Sequence, residues 1–289
     1  MDNNYLINNV PNFREKKIIT RSILSKSFGM KCEKVILEDN SHFVLKYIQK
    51  KHVDYNPIIN ETKSLIYMYK KFKNLFPKIY YYDKNVLVME YIENNGLKGK
   101  NYQKELALIL SKIHKNNNKN FGFDFDTPIG GLRQPSKFSN NWIKFYKENR
   151  LGMIFELINK KNPMPNETNK NIEKLINNLE QMLPNNPTPS LLHGDLWEGN
   201  ILFNNEKIVG FIDPGIYFAH NELEIAYLTW FKYVNNEFLN YYSDIIHIDK
   251  YYKKYEPIYQ LYYCLLNVHL WSREYIDNTN VLIKKIFKS

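Results

Sequence analysis

LLHGDLWEGNILFNNEKIVGFID, residues 191–213, holds two carboxylates and an amide at spacings that decide how the whole chain is read. His193 and Asp195 stand two residues apart, and Asn200 follows Asp195 by five. Ile201, Leu202 and Phe203 make a short apolar run, residues 204–206 a polar turn, and residues 208–212 a second run rich in β-branched side chains. This pattern predicts a β-hairpin. An antiparallel hairpin brings the residue before its first strand beside the residue after its second, so Asn200 and Asp213 are expected to meet at the open end. Two neighbouring oxygen donors suit Mg²⁺, which takes few protein carboxylates and completes its shell with water and phosphate oxygens. A solvated loop that happens to contain His, Asp and Asn is the plain alternative, and the full spacing argues against it.

The order His193, Gly194, Asp195, then Asn200, fits the H-x-D-x-x-x-x-N catalytic loop of phosphoryl-transfer enzymes, in which the Asp accepts a hydroxyl proton. Upstream, residues 18–24, 34–37 and 43–48 read as three strands. Lys46 lies in the third, in the local pattern V-L-K, where kinases carry the Lys that holds the ATP phosphates. Pro57 opens a helix running to about Phe72, and Glu61 falls on the same stripe as Leu65, Met68 and Phe72. A carboxylate on an apolar face needs a partner, and Lys46 is the expected one. The turn between the first two strands, residues 25–31, is where phosphates are expected, with Ser27 and Gly29 as contacts, although it holds a single glycine.

Residues 78–82 and 86–92 add a hairpin, which completes a five-stranded antiparallel sheet. Glu90, Tyr91 and Ile92 then resemble a hinge whose backbone binds adenine. Asn94-Asn95-Gly96 is a turn, and beyond it the chain becomes mostly helical, so a boundary is expected near residue 93. Residues 104–114, 142–155 and 166–183 read as helices, followed beyond Asp213 by helical stretches at 222–233, 237–246, 255–275 and 281–287. Residues 121–134, FGFDFDTPIGGLRQ, are aromatic, bear glycines and lack periodicity, and read as a loop. The fold expected is α+β, in two lobes of protein-kinase type. Residues 1–92 form a nucleotide-binding lobe, and residues 93–289 a catalytic and acceptor-binding lobe that contains the hairpin.

With 289 residues, 44% of them hydrophobic, the chain can bury a substantial core. Cys32 and Cys264 have no paired spacing, which argues against a disulfide framework or a structural zinc site and favours a reducing cytoplasm. No apolar run approaches the roughly 20 residues of a membrane span, and residues 1–17 lack the apolar core of a signal peptide. The formal charge of +10 invites a nucleic-acid reading. Lys is instead spread along the chain among abundant Asn, Ile and Tyr, and this favours no nucleic-acid partner.

These residues resemble the fructosamine kinase and ketosamine-3-kinase family, within the kinase-like fold of aminoglycoside and choline phosphotransferases. PSLLHGDLWEGNI at 189–201 carries Trp197, similar to the family's tryptophan at that place. IDPGIYFAHNELEIA at 212–226 resembles the segment that begins with a metal-binding Asp and ends in an acidic helix. FGFDFDTPIGGLRQ with Trp142 and Phe145 is similar to the loop and helix that shape the acceptor side, and IYQLYYCLLN at 258–267 to the family's C-terminal helix.

The resemblance implies transfer of the ATP γ-phosphate to the 3-hydroxyl of a ketosamine, free or protein-bound, after which the adduct breaks down and frees the amine. It implies Asp195 as base, Asn200 and Asp213 as Mg²⁺ ligands, Lys46 as phosphate clamp held by Glu61, and Trp197 walling the sugar pocket, with Gln134 and His193 on the acceptor side. The chain departs from the family in its glycine-poor phosphate turn, in Glu224 where an Asp is usual, and in Trp230-Phe231-Lys232-Tyr233 where a Phe-Gly-Gly-Phe is usual. Some relatives carry a redox-responsive cysteine near that turn, and Cys32 lies close by. The competing readings are an aminoglycoside or choline kinase of the same fold and a non-catalytic nucleotide-binding protein. Nothing in the sequence encodes an oligomeric state, and a monomer is the expectation.

Overall fold

Helix α1 (Asn3–Asn9) is capped by the Asp2 carboxylate, which accepts from the Asn4 amide. Strands β1 (Ile18–Ser27), β2 (Met30–Leu37) and β3 (His42–Ile48) follow. Helix α2 (Pro57–Lys71) starts on a Pro, whose missing N–H costs nothing in a first turn, and the Asn56 side chain caps the Ile59 amide. Strands β4 (Ile79–Tyr82) and β5 (Val86–Glu90) complete one antiparallel sheet in the order β1-β2-β3-β5-β4. Val35, Leu37, Leu45, Val86 and Val88 alternate inward from its strands to pack with Leu6, Val10 and Phe13. The computed structural model that gives this architecture describes residues 1–49 and 56–288.

The first two strands run further than their sequence suggested, and the expected open turn at 25–31 is mostly strand. Ser25 pairs with Cys32, Lys26 with Lys31 and Ser27 with Met30, leaving Phe28 and Gly29 as a two-residue turn. Both have positive φ, +48° and +74°, the requirement of a type I′ hairpin, whose twist matches that of its strands. Periodicity missed this extension because β1 is exposed along nearly its whole length and has no inward face to reveal.

Helix α3 (Tyr102–His114) follows an irregular stretch in which Gly96 takes a φ of +72°. The glycine-bearing loop holds a small hairpin, β6 (Thr127–Ile129) with β7 (Leu132–Gln134). The helix expected over 142–155 is instead α4 (Trp142–Tyr146), a π-helical turn over Lys147–Leu151, and α5 (Gly152–Lys161). Gly152 permits the wide turn, since a Cβ there would stand 2.3 Å from the Lys147 carbonyl oxygen. The turn carries Arg150 inward, where Nη1 donates to the carbonyls of Pro135 (2.7 Å) and Asn149 (2.6 Å) and the guanidinium lies 3.8 Å from the Tyr217 ring centre. The next expected helix is broken at Asn178 into α6 (Asn166–Asn177) and α7 (Leu179–Met182).

Strand β8 (Pro189–Leu192) leads into the hairpin of β9 (Ile201–Asn204) and β10 (Lys207–Phe211), after which β11 (Tyr217–His220) returns to pair with β8. The β8–β11 pair does not follow from the sequence, because its partners, from Tyr217 with Leu192 to His220 with Pro189, are far apart in the chain and show no local turn signal. Helices α8 (Asn221–Trp230), α9 (Asn236–Ser243), α10 (Tyr252–Leu270) and α11 (Tyr275–Ile286) close the chain. An aromatic core surrounds Trp142, whose indole N–H donates to the Tyr259 hydroxyl at 3.0 Å.

The chain divides into two units. One comprises Met1–Tyr102, Thr127–Arg133 and Gly199–Gly215, and the other Gln103–Asp126, Gln134–Glu198 and Ile216–Ser289. The mixed α+β architecture is the one the sequence implied.

Candidate active site

In the first unit β3 places Lys46 opposite Cys32 on one side and Leu87 on the other. Its ammonium reaches both carboxylate oxygens of Glu61, each at 2.8 Å, and the Asp213 Oδ1 at 3.0 Å. Glu61 is buried on the inner face of α2 beside Leu65 and Met68, as the stripe predicted. Burial works against the Lys46 charge, but Asp213 and Glu61 outweigh it and hold its pKa above the ordinary value. Burial raises the Glu61 carboxyl, with Asp213 adding to the effect and Lys46 opposing it. Burial also pushes the Cys32 thiol up to about 12 despite the nearby Lys46, so it lacks the thiolate character of a reactive cysteine.

The hairpin forms as expected, with Asn200 just before its first strand and Asp213 just after its second. Phe211 pairs with Ile201, and the Ile212 amide donates to the Asn200 carbonyl at 3.1 Å. Asp213 follows at φ +54°, a left-handed conformation that costs about 1–3 kcal/mol and clusters at functional sites. Among the described residues no three His, Cys, Asp or Glu side chains gather into a metal cage. Asn200 and Asp213 flank the hairpin's open end, and an amide and a carboxylate are hard oxygen donors of the kind taken by Mg²⁺ carried by a nucleotide, which needs no such cage.

Ser27 and Gly29 stand at the β1–β2 turn, and the Phe28 side chain there fills the space a Cβ on Gly131 would take, 2.5 Å from its own Cβ. Glu90 ends β5, exchanging hydrogen bonds with the Lys78 backbone. Tyr91 and Ile92 lie just past the sheet. The Lys34 ammonium sits 3.6 Å from the Tyr91 ring centre, and Ile92 packs over Gly210, whose lack of a Cβ leaves it room.

The second unit holds His193, Asp195, Trp197 and Gln134. Gly194 has φ +87°, so the glycine between His193 and Asp195 is a backbone requirement. Glu224, fully buried on α8, accepts from the amides of His193 (3.1 Å) and Gly194 (2.6 Å) and meets His114 Nε2 at 3.0 Å. Burial opposes its charge, yet His114 and the backbone donors bring its pKa below the usual carboxylate value. His114 is fixed in turn by the Tyr242 hydroxyl at 2.7 Å. Asp195 is half-buried, its amide 3.4 Å from His193 Nδ1, and its Oδ1 accepts from the Tyr227 hydroxyl at 3.4 Å. Trp197 is 44% exposed, whereas Gln134 is fully buried with its Oε1 accepting from the Tyr262 hydroxyl at 2.9 Å.

Structure therefore adds His114, Tyr227 and Arg150 to the residues sequence singled out, and turns Glu224, which sequence marked only as standing where an Asp is usual, into a hold on the backbone of His193 and Gly194. The signal for Glu224 was present in the run NELEIAYLTW, where a carboxylate amid apolar residues must be paired. His114, Tyr227 and Arg150 left no such trace, since each meets a partner distant in sequence that no local pattern announces.

Comparison with known proteins gives concordant matches. The family model described as fructosamine kinase matches residues 28–289. A protein of Enterococcus faecium named a probable ketoamine kinase is 34% identical over 206 residues, covering 68% of this chain and 70% of that protein. A chloroplastic protein-ribulosamine 3-kinase of Arabidopsis thaliana is 34% identical over 202 residues, covering 68% of this chain and 60% of its own length. In fold, a protein of Thermobifida fusca assigned as a fructosamine-3-kinase superposes with a TM-score of 0.87 at 19% identity, over 100% of both chains.

Proposed function

The chain belongs to the fructosamine kinase family of phosphotransferases, and from that premise we propose that it transfers the γ-phosphoryl group of ATP to the 3-hydroxyl of a ketosamine. The half-buried Lys46 ammonium, held between Glu61 and Asp213, carries this reading: a cation fixed by two carboxylates is poised to bind a polyphosphate. Mg²⁺ would be held by Asn200 and Asp213 and would neutralise phosphate charge. Ser27 and Gly29 contact the phosphates, and the backbone of Glu90, Tyr91 and Ile92 receives the adenine. Trp197 walls the sugar pocket, and His193 and Gln134 support the acceptor side from their buried positions.

Asp195 accepts the proton of the acceptor hydroxyl as that oxygen bonds to the γ-phosphorus and the bond from phosphorus to ADP breaks. The protein has little covalent chemistry to do, so its contribution is positioning and charge. The backbone clamp of Glu224 on His193 and Gly194 serves that positioning. Phosphorylation at the 3-hydroxyl makes the adduct unstable and starts deglycation, which places the protein among repair enzymes of the cytoplasm, acting as a monomer on small or protein-bound ketosamines. In this reading residues 1–92 form the nucleotide-binding lobe and residues 93–289 the catalytic one. Among the described residues no helix is long and apolar enough to cross a membrane.

The test is ATP consumption with Mg²⁺ on ribulosamine, erythrulosamine and fructosamine adducts, beside aminoglycosides and choline. Turnover confined to ketosamines is expected. Turnover on an aminoglycoside or choline alone would move the chain to a different acceptor class.

A further inference from the structure

Helix α8 sends two side chains to the catalytic loop. Glu224 and Tyr227 are three residues apart and so share one face of the helix. Glu224 grips the main chain at His193 and Gly194, and the Tyr227 hydroxyl reaches the next residue's side chain, Asp195 Oδ1, at 3.4 Å. The phenol is itself held firmly. Its ring stacks on Tyr263 with centres 3.8 Å apart and planes 9° apart, and it packs edge-on against Phe231 at 5.2 Å. Burial, with Asp195 nearby, keeps the Tyr227 hydroxyl protonated well above its ordinary range, so it acts as a donor and retains its own proton throughout.

A half-buried carboxylate rotates easily about its last torsion, which is broad and only two-fold. A hydrogen bond to the charged form also lowers its basicity, so a donor placed on a general base does not serve proton affinity. Orientation is what it supplies. We propose that Tyr227 is a positioning residue for phosphoryl transfer, fixing the Asp195 carboxylate in the plane from which it takes the acceptor's hydroxyl proton. The inference rests on Asp195 as the base. It gives one helix two holds on the loop, one on its backbone and one on its reactive side chain.

Tyr227→Phe removes the hydroxyl and keeps the stacked ring. The expected result is a fall in kcat of about 10- to 100-fold, the scale of a lost alignment, with the KM values for ATP and ketosamine within about two-fold of wild type. Adding Tyr227→Phe to Asp195→Asn should cost nothing further, because the group it orients is already disabled. Unchanged kcat overturns the proposal, as does an equal loss in the Asp195→Asn background. A melting temperature lowered by more than about 5 °C, or no folded protein, assigns the hydroxyl to stability and also overturns it. An inactive Asp195→Asn beside a fully active Tyr227→Phe removes Tyr227 alone, whereas a fully active Asp195→Asn removes the base assignment on which both depend.

Discussion

At the scale of single residues, Glu224 holds the loop at His193 and Gly194. It is a fully buried carboxylate that takes two backbone N–H groups and meets His114. Truncation to Ala orphans those buried donors, each worth roughly 1–3 kcal/mol, so Glu224→Ala should lose about 3 kcal/mol or more, read by urea denaturation. Glu61→Gln acts elsewhere. It keeps shape but removes a charge from Lys46, so the KM for ATP should rise and kcat should fall by about 10-fold or more, with little change in melting temperature. An unchanged ATP KM would detach Lys46 from the nucleotide. Lys46 and Glu61 were legible in the sequence because each occupies a fixed place on a strand or helix, and Asn200 and Asp213 because they flank a hairpin, so period and spacing translate into neighbourhood. Tyr227 and Arg150 were not, since their partners lie 32 residues away in Asp195 and 15 away in Pro135, across turns no local pattern encodes.

Elements show the same division. The sheet, α2 and the β9–β10 hairpin followed from alternation and turn residues, while the ends of β1 and β2 and the β8–β11 pair required the folded chain. The π-helical turn is the sharpest example. Amphipathic period predicted one continuous helix, but the extra residue per turn swings Arg150 into the interior, and Gly152 makes room for it. Gly152→Ala would press a methyl against the Lys147 carbonyl and should destabilise by about 1–3 kcal/mol, measured by thermal or urea unfolding. Tolerance of that methyl would mean that the wide turn does not depend on the glycine.

For the molecule as a whole, two neighbouring buried groups set a distinctive pH response. Burial lowers His220 to about 3, with His114 contributing, and burial raises Glu222 to about 7 against its hydrogen bonds from Tyr255 and Asp249. The depressed His220 contributes stability present above about 6.5 and lost as pH falls through about 3; the raised Glu222 contributes stability present below about 4.5 and lost as pH rises through about 7. Between about 4.5 and 6.5 the folded pair carries its proton on Glu222 and the unfolded pair on His220, so the two contributions cancel. Relative to wild type, His220→Gln should remove the decline below pH 4.5 and expose a loss of about 1.4 kcal/mol per pH unit as pH rises from about 4.5 to 6.5. Parallel stability curves would contradict this. Nucleotide binding acts at the same scale. ATP with Mg²⁺ at about 100 times its Kd adds roughly 2.7 kcal/mol, which should raise the melting temperature by about 5–10 °C.

The most direct test of the central claim is steady-state ATP consumption on ketosamine substrates by the wild type and Asp195→Asn, both shown to be folded. Mg²⁺-dependent turnover by the wild type on at least one ketosamine and its loss in the variant are expected, because Asp195 takes the hydroxyl proton in the proposed mechanism. Wild-type turnover in Asp195→Asn, or no ketosamine turnover by a folded wild type, would contradict it.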